Sequence, residues 1–298
     1  MPLESGGLLG EVALLISPAS SSGPEIGRVI PCNLPCQHRR AMDPALIDRT
    51  TQPILGISDS GQLVRTMTIA GIESNVPAKI LSTNLRGSST RMVRLESGWG
   101  SRLAGAFTAD VEVFVLKGDI EIGSVGLGAY GYAAIPGGGV VGGFRSRQGA
   151  IALMITSGPI RYDTSTGGAP ARIVVGRPSE TSWHREFEGL DIDVRPVATS
   201  EISEVWLGST GLSPGNPAWH KHPFDEETFV LEGELQYRDF ANGEIVTTDA
   251  SPGSYFYRPA GWRHCGPLSV GEETPLMFHR SLRSHQTELL ESEDVPQV

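Results

Sequence analysis

From about residue 60 to about residue 285, apolar residues come in short runs bounded by Gly or Pro, without the three-to-four-residue spacing of an amphipathic helix. Residues 111–116, 151–155, 227–231 and 254–257 are rich in β-branched and aromatic side chains and have the length of strands. Many short strands between turn residues predict an all-β sandwich or barrel, and the 37 Gly and 21 Pro of the 298-residue chain supply the turns. Residues 1–55 hold neither period and are rich in Ser, Gly and Pro, which predicts a loosely ordered N-terminal extension; Met42 offers an alternative start. Residues 286–298, with Glu288, Glu291, Glu293 and Asp294, are expected to form a mobile, solvated acidic tail.

The pattern repeats. Glu112-Val-Phe-Val-Leu-Lys-Gly118-Asp-Ile matches Glu227-Thr-Phe-Val-Leu-Glu-Gly233-Glu-Leu, and each copy leads to a Gly-rich stretch, aromatic residues and a Pro-x-Gly turn, at Pro136 and Pro259. The copies lie a domain's length apart. Two similar units in tandem are therefore expected, over residues 56–180 and 181–285.

The second unit carries the chemistry. In an extended strand, side chains two apart point to one face, so His220 and His222 can reach a single ion, and Glu226 has the same parity. His264 follows the Pro259-Ala-Gly261 turn, which can return a fourth ligand from a distant strand. Glu226 is preferred to Glu227 by parity and by its interval to Gly233, although a one-residue bulge would exchange them. Three imidazoles and a carboxylate suit Fe(II), Mn(II), Ni(II) or Zn(II), and the donor set alone does not choose among these. His38, His184, His279 and His285 fall outside this spacing and are expected to be surface or structural residues.

These residues resemble the two motifs of the cupin superfamily, Gly-x5-His-x-His-x3,4-Glu-x6-Gly and Gly-x5-Pro-x-Gly-x2-His-x3-Asn. Gly253, Pro259, Gly261 and His264 fit the second motif, with Leu268 in place of its Asn. His220, His222, Glu226 and Gly233 fit the first, whose leading Gly is out of register, the nearest being Gly215. The resemblance implies a bicupin, two jelly-roll barrels with one divalent metal in the C-terminal barrel. Aligned on Gly118, the first unit has Gly105, Phe107, Val111 and Val141 at the ligand positions, and so implies a metal-free barrel.

With Fe(II) favoured, such a site is similar to those of cupin dioxygenases; with Mn(II), Ni(II) or Zn(II), to those of decarboxylases, cyclases and isomerases. Trp219, Tyr255, Tyr257, Trp262 and Arg280 are candidate pocket residues, competing with core packing, and alternation puts Tyr255 and Tyr257 on the face opposite Arg258. The segment from Phe256 to Pro267 is also similar to the cupin domain of zinc-binding anti-sigma factors, which implies a metal-binding sensor without turnover as the alternative. Their His-x3-Cys-x2-Cys pattern is not matched by Cys32, Cys36 and His38.

Composition narrows the partners. A formal net charge of −10 with scattered Lys and Arg gives no footprint for nucleic acid. No stretch is long and apolar enough for a membrane helix, and three cysteines make no disulfide framework. A cytoplasmic protein acting on a small-molecule substrate or ligand is expected; the resemblance to tandem cupins allows a homodimer through exposed sheet edges, while the sequence leaves the oligomeric state open.

Overall fold

The computed structural model describes Arg49 and residues 53–57, 64–72, 75–165, 167–185, 192–210, 218–269, 271–282, 286–291 and 294–296. Cys32, Cys36, His38, Met42, Gly215 and His285 lie outside the described residues. Among those described there is no α-helix, and no helix is long and apolar enough to cross a membrane.

The repeat in the sequence is a repeat of sheets. One seven-stranded antiparallel sheet runs in the order Val174–Gly176, Tyr132–Ile135, Val111–Gly118, Ala150–Thr156, Ser89–Leu95, Val76–Thr83, Val64–Met67. The other runs Ile54–Ile57, Tyr255–Arg258, Glu226–Glu232, Leu276–Ser281, Glu204–Thr210, Ile192–Thr199, His184–Arg185. Gly118 and Gly233, which end the matching runs, have φ of +87° and +72°, a region that a side chain disfavours. Smaller sheets close each barrel. In the second barrel this layer includes Leu235–Ala241, His264–Ser269 and His220–Lys221.

Alternation explains why the central strands read as unbroken apolar runs. Val111, Val113 and Val115 face the first barrel's interior with Phe107, Phe144 and Met154. Phe114 points the other way and packs with Phe229, Phe278, Tyr255 and Tyr257 of the second sheet, its ring 4.5 Å from that of Phe278. The two large sheets thus lie face to face, and their central strands are buried on both sides. A third cluster, including Val230, Tyr237, Phe256 and Met277, fills the second barrel.

One edge strand of each large sheet comes from a segment at an end of the first unit. Val174–Gly176, at the end of the first unit, completes the first sheet, whereas Ile54–Ile57, at its start, pairs with Tyr255–Arg258 of the second. Ile54 and Leu55, the last residues of the expected extension, belong to this strand, and residues 1–48 lie outside the described residues. Pairing with an open sheet edge supplies order that local composition does not signal. Arg49 is likewise buried.

The seam between the sheets holds a charged network. Glu227 Oε1 accepts from Arg49 Nη1 at 3.1 Å and Arg280 Nη1 at 3.3 Å, and Glu227 Oε2 accepts from the Thr90 hydroxyl at 2.7 Å. Glu112, its counterpart in the repeat, accepts from Arg280 Nε at 3.0 Å and from the Tyr132 and Ser203 hydroxyls, each at 2.5 Å. Burial alone would raise the Glu112 carboxyl. The Arg280 charge and these donors together hold it below the usual carboxylate range.

Replacing Arg280 by Met should cost about 3–5 kcal/mol at neutral pH, because two carboxylates then share a dry seam without their common cation. A group with a depressed folded pKa stabilises above its unfolded pKa and loses that contribution as pH falls through the folded value. The loss caused by Arg280→Met should therefore shrink toward pH 4, as protonation relieves Glu112. Urea denaturation of both proteins at several pH values checks this, and a pH-independent difference would contradict the assignment.

Candidate metal centre

Two short strands bring the histidines together. His220 and His264 face each other across the pair His220–Lys221 and His264–Ser269. On its other edge, the His220 strand pairs with Glu288–Leu289, with His220 opposite Leu289. Leu290 N–H donates to Trp219 O at 2.9 Å, and Lys221 Nζ lies 3.2 Å from Glu288 Oε2. The described part of the acidic tail is hydrogen-bonded to the strand that carries His220. Backbone pairing makes no demand on apolar content, so its acidity gave no sign of this.

One ligand atom from each of His220, His222 and His264 lies within 4.8 Å of the others, and all three residues are buried. Their Nδ1 atoms sit 2.9, 2.8 and 3.3 Å from the carbonyl oxygens of Ala218, Gln286 and Trp262. A carbonyl can only accept, so in each neutral ring Nδ1 carries the proton and Nε2 presents its lone pair. Burial pushes His220 down to about 4, with His222 adding to the effect, and lowers His264 well below the usual value, with His220 adding.

Glu226 faces the same point from the next strand. Its Oε2 lies 3.3 Å from His222 Nε2 and 3.6 Å from His264 Nε2, and accepts no hydrogen bond. Its Oε1 accepts from the Thr228 hydroxyl at 3.1 Å and lies 3.2 Å from His279 Nδ1. Imidazole lone pairs and a buried, unpartnered carboxylate oxygen thus converge on one point, an arrangement that repels itself unless a cation lies at its centre. The residues fit a divalent metal.

The space beside them is small, about 20 Å³, lined by these four residues together with Ile192, Trp206, Tyr237, Gly266, Pro267 and His279. A water needs roughly 10–15 Å³ on this measure, so the space takes one ion- or water-sized occupant, and a larger ligand would need the walls to give.

Of the expected pocket residues, none lines this cavity. Tyr255 and Arg280 point into the seam, the Tyr255 hydroxyl donating to Ser82 at 2.8 Å and Arg280 pairing with Glu112 and Glu227. The Tyr257 hydroxyl donates to Asp225 at 2.6 Å. Trp262 Nε1 donates to Asp239 at 3.1 Å, and Trp219 is half-buried. The cause is parity: Glu227, Tyr255, Tyr257 and Arg280 occupy the outward positions of strands whose inward positions are Glu226, Phe256, Arg258 and His279. Parity also separates Glu226 from Glu227, which lies in the seam. His279, read as surface or structural, is buried against Glu226 and stacked on Trp206. Its signal was available: two residues after Met277, it shares that residue's inward face.

The first barrel repeats the register without the donors. Gly105 pairs with Val141 as His220 pairs with His264. Phe107, Phe144 and Tyr162 fill the space, with ring centroids 5.3 and 5.0 Å apart for Phe107–Phe144 and Phe107–Tyr162. A Cβ on Gly105 would come within 2.8 Å of the Tyr162 ring. Among the described residues the His220–His222–His264 group is the one metal-type cluster.

No protein-family model matches the chain, and no curated protein matches it. Solved structures do. A protein from Nostoc punctiforme PCC 73102, provisionally named a dioxygenase, superposes with a TM-score of 0.64 at 20% identity, covering 80% of this chain and 86% of that one. The oxalate decarboxylase of Lactobacillus farciminis, in a formate complex, gives 0.58 at 13% identity over 80% and 88%. A tryptophan-to-tyrosine variant of the Bacillus subtilis oxalate decarboxylase gives 0.56 at 14% over 83% and 81%. A further structure of the Bacillus enzyme concerns its Mn(II) centres. At these identities the likeness establishes the fold, that of a bicupin.

His222→Ala should abolish metal binding, while Glu112→Gln should leave metal content unchanged; elemental analysis of both variants checks the pair. Ending the chain after Leu282 removes the Gln286 carbonyl and the Glu288–Leu289 strand. The folded barrels should persist, with metal affinity reduced roughly 10–100-fold in a chelator competition.

Proposed function

We propose that this bicupin is a metal-dependent enzyme acting on a small organic molecule, with one divalent ion held by His220, His222, Glu226 and His264. Fe(II) is the ion of first choice, and dioxygen-dependent oxidation the first reaction class. The observation that carries this reading is the unpartnered Glu226 Oε2 facing the imidazole cluster. At such a donor set a bound Fe(II) would supply a redox-active Lewis acid with positions open to exogenous ligands.

The chain's own residues do the rest. Carbonyls of Ala218, Gln286 and Trp262 hold the rings in one tautomer, so that no rearrangement is needed when an ion binds. Ile192, Trp206, Tyr237 and Pro267 wall the centre with largely apolar surface. None of the described lining residues is a Lys or Arg, and the inward-facing Arg258 is already paired with Asp239, so a dicarboxylate would depend mainly on the ion for neutralisation. This favours oxygen and an uncharged or weakly charged organic partner over oxalate-like dianions.

A second reading has one observation in its favour. The small cavity suits a bound ion without turnover, as in a metal-binding sensor. Elemental mass spectrometry of protein purified without a histidine tag, followed by nitric oxide titration of the Fe(II) form, separates the two. About one iron per chain with a nitrosyl signal is the expected outcome. Tightly held zinc with no exchangeable water would move the assignment to a sensor, and absence of metal would overturn both.

A further inference from the structure

His279 is two per cent exposed, sits outside both sequence motifs and still lines the metal cavity. Its strand, Leu276–Ser281, pairs with both the Glu226–Glu232 and Glu204–Thr210 strands, which places it opposite Thr228 on one side and Trp206 on the other. The ring is trapped. It stacks on Trp206 at a centroid distance of 3.8 Å with planes 10° apart, and a Cβ on Gly208 would come within 3.0 Å of its Cδ2 and Nε2. What the trapping fixes is Nδ1, 3.2 Å from Glu226 Oε1 and 3.1 Å from the Thr228 hydroxyl oxygen. A carboxylate oxygen can only accept, so Nδ1 is the donor. Two donors, the Thr228 hydroxyl and His279 Nδ1–H, therefore converge on one oxygen of Glu226, and the other oxygen accepts nothing.

We propose that His279 is a positioning residue that makes Glu226 a one-oxygen ligand and so keeps a coordination position open for an exogenous molecule. A carboxylate whose Oε1 is engaged by two hydrogen bonds offers a metal its Oε2 alone. Released from them, it can rotate and bind through both oxygens, occupying a site that water or a small substrate would otherwise take. Thr228 alone cannot do this, because a hydroxyl rotates freely, whereas the stacked imidazole cannot turn. The slot explains the residues around it: Gly208 gives the ring room, and Trp206 provides the flat surface. This inference rests on the metal reading of the site.

The test titrates Mn(II) into metal-free wild type and into His279→Asn and His279→Leu variants. Binding is followed by electron paramagnetic resonance, and exchangeable water by proton relaxation. Asn can return a donor near the position of Nδ1; Leu cannot. The expected result is wild-type-like relaxation per bound ion for His279→Asn. For His279→Leu, relaxation should fall by about one exchangeable water's contribution, with affinity reduced roughly 10-fold.

Unchanged relaxation in His279→Leu would overturn the role, even with weaker binding, since a merely structural residue would give that result. Should His279→Leu fail to fold, Gly208→Ala, which displaces the ring while leaving it intact, must lower the relaxation; if it does not, the proposal falls. Failure of wild type to bind Mn(II), Fe(II) or Zn(II) would remove the metal reading itself. Wild-type binding with all variants alike would remove only the part played by His279.

Discussion

Two neighbouring carboxylates on a strand buried from both sides set the terms for this molecule. Glu226 and Glu227 point in opposite directions because successive side chains of a strand must, and neither direction leads to water. A buried carboxylate is costly unless compensated, so each face needs its own source of positive charge or hydrogen-bond donors. On the seam side these are Arg280 and Arg49, with Thr90 completing the set. Inside the barrel they are two donors on one oxygen and, for the other, a site that only a cation satisfies. The structural network and the candidate metal centre are thus two solutions to one problem, one residue apart.

The first barrel shows what happens when only one solution is retained. Glu112 keeps the seam position of Glu227 and shares Arg280 with it, while Val111 stands where Glu226 would be. With no inward carboxylate there is nothing for a cation to neutralise, and Gly105 and Val141 leave space that Phe107, Phe144 and Tyr162 occupy. The barrels differ inside while their common wall is matched, Phe114 against Phe278 and Glu112 beside Glu227 through one guanidinium.

This division governs what could be read from the chain beforehand. The all-β tandem architecture was legible because it is written in local features: strand-length runs, Gly and Pro punctuation and a repeated segment around Gly118 and Gly233. The gathering of His220, His222 and His264 was legible because spacing and parity are properties of neighbouring residues. Arg49, Ile54–Ile57 and Glu288–Leu289 were not, because each owes its place to backbone or charge partners far along the chain. The Gln286 carbonyl has no sequence signature at all, since every residue has one. Tyr255, Tyr257 and Arg280 carry the chemistry of pocket residues, but only strand register shows that their faces belong to the seam.

Register also links the seam to the centre. Arg280 and His279 are consecutive, as are Glu227 and Glu226, and each pair straddles the same antiparallel ladder, Glu227 opposite Arg280 and Thr228 opposite His279. A strand cannot slide by one residue without exchanging its faces, which here would drive Arg280 toward the histidines and His279 into the seam. The ion pairs between the sheets therefore do more than join two barrels. By pinning Glu227 to Arg280 they fix the register that brings His279 to Glu226, so the placement of the inner carboxylate is determined from the outer face of its own strand.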